Sequence, residues 1–360
     1  MARKKIILIS YYDYDYDGRL RALISIFSQI GELYSITRGS KPINSNCLIC
    51  NDVYFKFILK AIKYGRKIGH ADLLVIDNRK AIIPGFLLRW ICKPSIIIQD
   101  CRELYLIQDV KHLKGKIGCI FEKYSIKNTD IIISANIERA QIMKDAYCLE
   151  ELPLVFENVR QLQYTSEEEK QAAETRLKDL IIDGEVRILS SSGCNISRMN
   201  DVLVKNISKV QHRCRLFLVG NCIDNEKKIL EEIVKKNNLS NVELIGLLNQ
   251  NELKYLIDNS HIGIVNYNQK DTNNKYCASG KLYEFIYERI PVVCTTNPPL
   301  FNLCKKEGFG ISDDDYYLAI NEIISHYDLY KEKAIAFSSA HKIEDYEHSF
   351  IELLKEKIRG

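Results

Sequence analysis

Residues 274–296 read N-K-Y-C-A-S-G-K-L-Y-E-F-I-Y-E-R-I-P-V-V-C-T-T: a loop, a short amphipathic helix and a buried strand in succession. Ser279 is placed to cap the helix, its hydroxyl accepting from an amide one turn in. Leu282, Phe285 and Ile286 recur at helical spacing and are expected to face the core. Lys281, Glu284 and Glu288 then share the opposite face. Pro291 stops the helix, and Val292–Thr296 is apolar enough for a central parallel strand. A cation and an acid one turn apart, beside the amides of a helix N-terminus, suit an anion and a diol held together. A nucleoside diphosphate offers both, with phosphate for Lys281 and the amides and ribose hydroxyls for Glu284. The alternative is a solvated face on an ordinary helix, and the rest of the chain decides between the two.

At 360 residues the chain fits two domains of ordinary size, and 46% hydrophobic with 27% charged residues is a globular composition. The net charge of +4 is uneven: residues 1–160 hold 25 Lys and Arg against 17 Asp and Glu, leaving the rest of the chain net acidic. A basic first half suggests an anionic surface or partner there. The 12 cysteines are scattered. Without a signal-peptide pattern they are expected to be reduced, cytoplasmic thiols that pack as small hydrophobes. Cys47 and Cys50 form a lone C-x-x-C with no partner pair, which argues against a metal site. No apolar run is long enough to span a bilayer.

Strand-like runs at 4–10, Leu33–Thr37, Leu73–Asp77, Ser95–Gln99, Asp130–Ser134 and Leu152–Phe156 alternate with helical segments in the first half. The pattern predicts a parallel sheet covered on both faces. Tyr11–Asp17, alternating tyrosine and aspartate, reads as a binding loop at the carboxyl end of the first strand. Within the helix expected over 51–69, Lys56, Lys60, Lys63 and Lys67 form a basic stripe. It reads as an anionic-membrane contact or as the solvated side of a helix packed on its own sheet. The apolar segment Ile82–Ile91, with Trp90, adds to the first option. Residues 161–184 are polar and read as a linker or connecting helix. From Glu185 the strand–helix rhythm restarts, at Val186–Ser191, Arg215–Val219, Val242–Ile245, Ile262–Asn266 and Val292–Thr296. The division is therefore 1–160, a linker at 161–184, a second domain at 185–340, and a C-terminal helix at 341–360 able to pack back on the first domain.

No G-x-G-x-x-G follows the first strand, no Walker A sequence occurs, and no H-E-x-x-H is present, which disfavours hydride transfer and metal-dependent hydrolysis. What the second half does contain, in order, is Val186–Gly193, Leu216–Gly220, Val242–Gly246 with Asn249–Leu256, Ile262–Tyr267 and S-G-K-L-Y-E-F-I-Y-E-R-I-P-V-V. This series resembles the C-terminal half of a GT-B glycosyltransferase, nearest to the retaining family 4-like group of capsule and lipopolysaccharide enzymes. Weaker matches in the first half are Gln99–Leu104, Asp130–Ser134, Arg139-Ala140 and Val155–Asn158.

The resemblance implies two Rossmann-like doubly wound α/β domains facing a central cleft, with a nucleotide sugar on the second. By carry-over Glu284 would bind the ribose hydroxyls, and Ser279, Gly280 and Lys281 would meet the diphosphate, with Leu282 beside them. Gly193 matches the glycine of the loop opening the second domain, and Arg198 the basic phosphate contact. Arg198, Lys281 and Glu284 are thus the candidate catalytic residues, and Asn249 lies in the loop that reads the base. The family often carries a second glutamate eight residues before Glu284, where this chain has Tyr276; Asp271 or Asn273 could replace it. The acceptor side would fall on Asp17, Gly18, His70, Asp100 and Glu103. The implied reaction moves a glycosyl group from a nucleotide diphosphate sugar, with a UDP-sugar favoured, to a glycan or polyprenyl-linked acceptor. It needs no metal or other cofactor and no nucleic acid. A retaining enzyme needs no strong protein base, whereas an inverting one would draw on a first-domain carboxylate or histidine. The expected setting is cytoplasmic, with a peripheral position on the inner face of the cell membrane as an option. Two alternatives stay open: a non-catalytic nucleotide-sugar-binding subunit, which Tyr276 motivates, and a sugar-nucleotide epimerase of the same fold.

Overall fold

The computed structural model describes residues 3–359, in two compact units. One unit takes the chain up to Asn158 and resumes at Ile343; the other is Val159–Lys342.

The first unit alternates β1 (Lys5–Asp13), α1 (Gly18–Ile30), β2 (Glu32–Arg38), β3 (Cys47–Ile49), α2 (Tyr54–Ile68), β4 (Leu73–Asp77), α3 (Ile82–Cys92), β5 (Ile96–Cys101), α4 (Leu113–Lys127), β6 (Ile131–Ser134), α5 (Ile137–Tyr147) and β7 (Leu154–Val155). The strand order is 3-2-1-4-5-6-7 and every pairing is parallel. The aliphatic runs form these strands because helices cover both faces, leaving Ile6–Ile9 wholly buried. The helix Ile343–Arg359 belongs to this unit, where Phe350 and Tyr346 pack on the ring of Phe156.

The second unit repeats the plan with α6 (Glu167–Leu177), β8 (Val186–Ser190), α7 (Asn200–Ile207), β9 (Cys214–Val219), α8 (Asp224–Lys236), β10 (Val242–Gly246), α9 (Gln250–Asp258), β11 (Ile262–Val265), α10 (Thr272–Lys275), α11 (Gly280–Ile286), β12 (Val292–Cys294), α12 (Pro298–Glu307), β13 (Gly310–Ser312), α13 (Tyr316–Ser325) and α14 (Tyr327–Ala340). Its parallel strands run 10-9-8-11-12-13. In both sheets the order reverses beside the first strand of the unit, β1 against β4 and β8 against β11. That reversal opens a crevice at the carboxyl ends of those strands, which is where open α/β sheets take ligands.

The structure corrects several expectations. Residues 161–184 are not a free linker: α6 lies within the second unit, burying Ala173 and Leu177 and packing on α9. The short strands β3 and β13 went unforeseen, because three-residue strands leave too little periodicity to detect. The loop expected at Tyr11–Asp17 begins later, since β1 runs to Asp13 and the ring of Tyr11 packs on Tyr54 and Phe57. The thiols are not all reduced, because Cys194 and Cys222 form a disulfide with Cα atoms 4.7 Å apart. Both Cys47 and Cys50 are free. In α2, Phe57 and Ala61 are buried, and a Cβ on Gly65 would stand 2.4 Å from Leu88 Cδ2 of α3. Part of the apolar side of α2 is therefore spent on its own unit, while Phe55 and Leu59 stay exposed on the same helix as its lysines.

Candidate functional site

The site of the second unit starts at the carboxyl end of β8. The chain turns there through Gly193, at φ +67°, where a Cβ would meet the Asn221 carbonyl oxygen at 2.2 Å. Gly220 approaches from the end of β9, and a Cβ on it would lie 2.9 Å from the Gly193 nitrogen. Only glycines allow these two turns to touch. Asn200 fixes the turn by donating to the Gly193 carbonyl at 2.6 Å, and the Cys194–Cys222 disulfide ties the two turns together.

Into this corner points Lys281, the second residue of α11, whose Nζ donates to the Ser191 carbonyl. Burial, with help from the nearby Arg198 and Arg160 cations, lowers its pKa to about 8, although Glu284 pulls the other way. Arg198, on the turn after β8, lays its guanidinium 3.9 Å from the centre of the Tyr267 ring. Its buried Nη1 has no hydrogen-bond partner. The same is true of the buried hydroxyls of Ser191 and Ser279. Three unsatisfied polar groups around a crowded ammonium are an arrangement that folding alone does not favour, since each costs about 1–3 kcal/mol. A bound anion would satisfy them.

Of the two readings of the Lys281–Glu284–Glu288 face, a ligand-binding face or a solvated one, the solvated one does not hold for Glu284. Glu284 is buried, at 4% exposure, and its Oε1 accepts from Arg160 Nε at 2.6 Å and Nη2 at 2.5 Å. Glu288 bonds Gln161 and Lys254. No local signal in the sequence links Arg160 to Glu284, 124 positions away. Ser279 is the N-cap by position, but its hydroxyl makes no capping bond. Gly280 lies against the guanidinium of Arg160, which a Cβ there would push aside. The side chain of Leu282 is buried in the apolar core with Phe285 and Ile286. Asn249 is committed elsewhere too, closing a capping box with Glu252 at the start of α9. Tyr276 closes α10 and carries Lys275 over its ring at 5.5 Å, while Asp271 caps the same short helix.

In the first unit the carboxyl ends of β1, β4 and β5 gather charge. Arg102 binds both oxygens of Asp77, at 2.6 and 2.7 Å, and also reaches Asp17. Arg19 grips Asp100 at 2.5 and 2.8 Å. Asp17 also caps α1, which Gly18 begins. Asp17 and Asp100 are thus locked in ion pairs, and neither stands ready as a base. Asp77, missed in the sequence, is fully buried, and burial raises its pKa to about 6 against the pull of Arg102. Glu103 is the acceptor-side candidate that stays near the surface. It accepts from Asn78 Nδ2 at 3.0 Å, and the same nitrogen reaches the Tyr12 hydroxyl at 2.7 Å. Asn78 sits at φ 63°, ψ 179°, a strained backbone for any residue but glycine, and its buried Oδ1 is unpartnered. His70 is misplaced by the sequence reading, since it precedes β4 at the amino end of the sheet, away from these groups. No cluster of three or more metal-binding side chains exists among the described residues.

No protein-family model matches the chain, and no curated relative does. Solved structures do. Anabaena HepE in complex with UDP and glucose superposes with a TM-score of 0.71 at 14% identity, covering 98% of this chain and 100% of that one. Sucrose-phosphate synthase from Thermosynechococcus elongatus gives 0.71 at 15% identity, over 98% and 99%. WaaG, a glycosyltransferase involved in lipopolysaccharide biosynthesis, gives 0.67 at 10% identity, over 97% and 99%. With two parallel doubly wound units and these neighbours, the chain has the GT-B fold.

Proposed function

We propose that the chain is a glycosyltransferase that moves a sugar from a nucleotide diphosphate donor to a hydroxyl acceptor. The observation that carries this is the set of three cations, Lys281, Arg198 and Arg160, around the single buried carboxylate of Glu284. Such a set carries surplus positive charge and suits a diphosphate, with the carboxylate left for a ribose diol. Charge grows on the departing phosphate during transfer, so cations already fixed there lower the barrier without a metal. HepE, bound to UDP and glucose, supports a UDP-sugar as donor. The ion-paired state of Asp17 and Asp100 supports retention, in which the leaving phosphate takes the acceptor proton.

The reading extends to a glycan or lipid-linked acceptor for surface polysaccharide, handled on the inner face of the cell membrane. The fullest support comes from α4. Leu113, Ile117, Ile120, Phe121 and Tyr124 recur at helical spacing on α4, and all are exposed. Lys114, Lys116, Lys123 and Lys127 surround them, while the one acid, Glu122, is buried against Arg79. An apolar stripe turned outward and edged by lysines alone suits an anionic lipid surface. A mostly apolar cavity beside it, lined by Leu106, Ile107, Ile120 and Ile142 together with Gln108, Lys123 and Asp145, suits the chain of a lipid-linked acceptor. No helix among the described residues is long and apolar enough to cross a membrane.

The test is release of nucleoside diphosphate from a panel of donors with lipid-linked and soluble acceptors. Glu284→Gln should lose donor turnover by about a hundredfold, for two diol bonds to a charged group. Turnover and nucleotide binding unchanged in the variant would overturn the assignment. Phe121→Glu should abolish sedimentation with anionic vesicles and leave soluble-donor binding intact; undiminished sedimentation would remove α4 from the membrane contact.

A further inference from the structure

The ion pair between Arg160 and Glu284 occupies the carboxylate that the proposed function assigns to the ribose. Both guanidinium bonds end on the same oxygen, Glu284 Oε1. Two N–H groups take up the lone pairs of that oxygen, so a diol that uses both carboxylate oxygens has to displace them. Yet Glu284 is buried, and without a partner its charge would be stranded. The unliganded protein thus needs Arg160 where it lies, and a diol bridging both carboxylate oxygens would send it elsewhere.

Resting on that donor-site reading, we propose that Arg160 is a partner-exchanging positioning residue. It neutralises Glu284 in the empty site, then passes to the donor diphosphate when the ribose hydroxyls take the carboxylate. The geometry allows the exchange. Arg160 keeps 38% of its side chain accessible whereas Glu284 keeps 5%, so the arginine is the partner free to move. Its guanidinium lies against Gly280, whose missing Cβ would come within 2.7 Å of Cζ and Nε. That places it beside Ser279, whose hydroxyl is buried and unpartnered, and within electrostatic range of Lys281. A short swing transfers the cation from the carboxylate to an anion seated among Ser279, Lys281 and Arg198. The two halves of a donor then differ in effect. A nucleoside has to displace Arg160 and offers it nothing in return. A nucleoside diphosphate displaces it and supplies a better partner.

Calorimetric titration of the four common ribonucleosides and their diphosphates tests this, on the full chain and on Arg160→Met. The variant should bind the preferred nucleoside about fivefold more tightly and its diphosphate about tenfold more weakly. Opposite signs are the signature, because damage to the site would weaken both. Arg160→Lys, which keeps the charge but not the fork, should recover diphosphate affinity to within about threefold of the natural chain. It also serves as the reporter should the methionine variant fold poorly, judged by its melting curve. Losses of both ligands in parallel, or no change in either, would overturn the exchange. If no nucleoside diphosphate binds the natural chain, the donor-site reading itself fails, and this inference with it.

Discussion

Lys281→Met should stabilise the empty protein while abolishing its affinity for a nucleoside diphosphate. The pKa of Lys281 falls from the ordinary 10.5 to about 8, chiefly through burial. That fall corresponds to about 3 kcal/mol spent on keeping the ammonium charged in the fold below pH 8. Methionine fills similar volume without a charge, but it leaves the Ser191 carbonyl without its donor, a loss of about 1 kcal/mol. The net gain is about 2 kcal/mol, or about 4–8 °C in Tm for a unit of this size. The sign follows from linkage. Lys281 binds its proton more weakly folded than unfolded, so its contribution is fully present above pH 10.5 and is lost as pH falls through about 8. Differential scanning calorimetry between pH 7 and 10 should therefore show the natural chain gaining stability relative to the variant as pH rises. A variant that melts lower at pH 7, or a difference that stays flat with pH, would refute the reasoning. Diphosphate affinity of the natural chain should decline over the same range, since neutral Lys281 has lost its attraction for the ligand.

Four further outcomes follow from single features. Ser279→Ala removes a buried hydroxyl that has no partner in the empty site. It should raise thermal stability slightly and weaken diphosphate binding about tenfold by titration; unchanged affinity would exclude the hydroxyl as a ligand. Reducing the Cys194–Cys222 bridge, or replacing both cysteines by serine, should cost about 3–4 kcal/mol in a urea melt, given a 28-residue separation. Gly193→Ala should cost diphosphate binding more than stability alone explains, because the Asn221 carbonyl must move and the Ser191–Gly193 turn moves with it. His70→Ala, at the far end of its sheet, should leave donor turnover unchanged in a coupled release assay.

The fold was legible in the chain because parallel strands buried on both faces must be nearly all aliphatic. Ile6–Ile9, Leu73–Asp77 and Val186–Ser190 announced themselves this way, and so did the helix after Ser279, although it ends at Ile286, five residues before Pro291. The strand–helix alternation, repeated after Glu185, carried the doubly wound architecture with it. The candidate Lys281–Glu284 pair was visible for the same reason, a spacing of three within one helix. Other features depended on partners far along the chain. Helical periodicity put Glu284 on a polar face; only Arg160, 124 positions away, makes its burial tolerable. Only folding joined Cys194 to Cys222, left Ser279 without its expected capping bond, and set His70 at the opposite end of the sheet from Glu103. Local pattern records which side chains are apolar and at what period. Whether a charge among them is paired, stranded or waiting for a ligand depends on which distant segments the topology brings to the strand ends, and only the tertiary structure decides that.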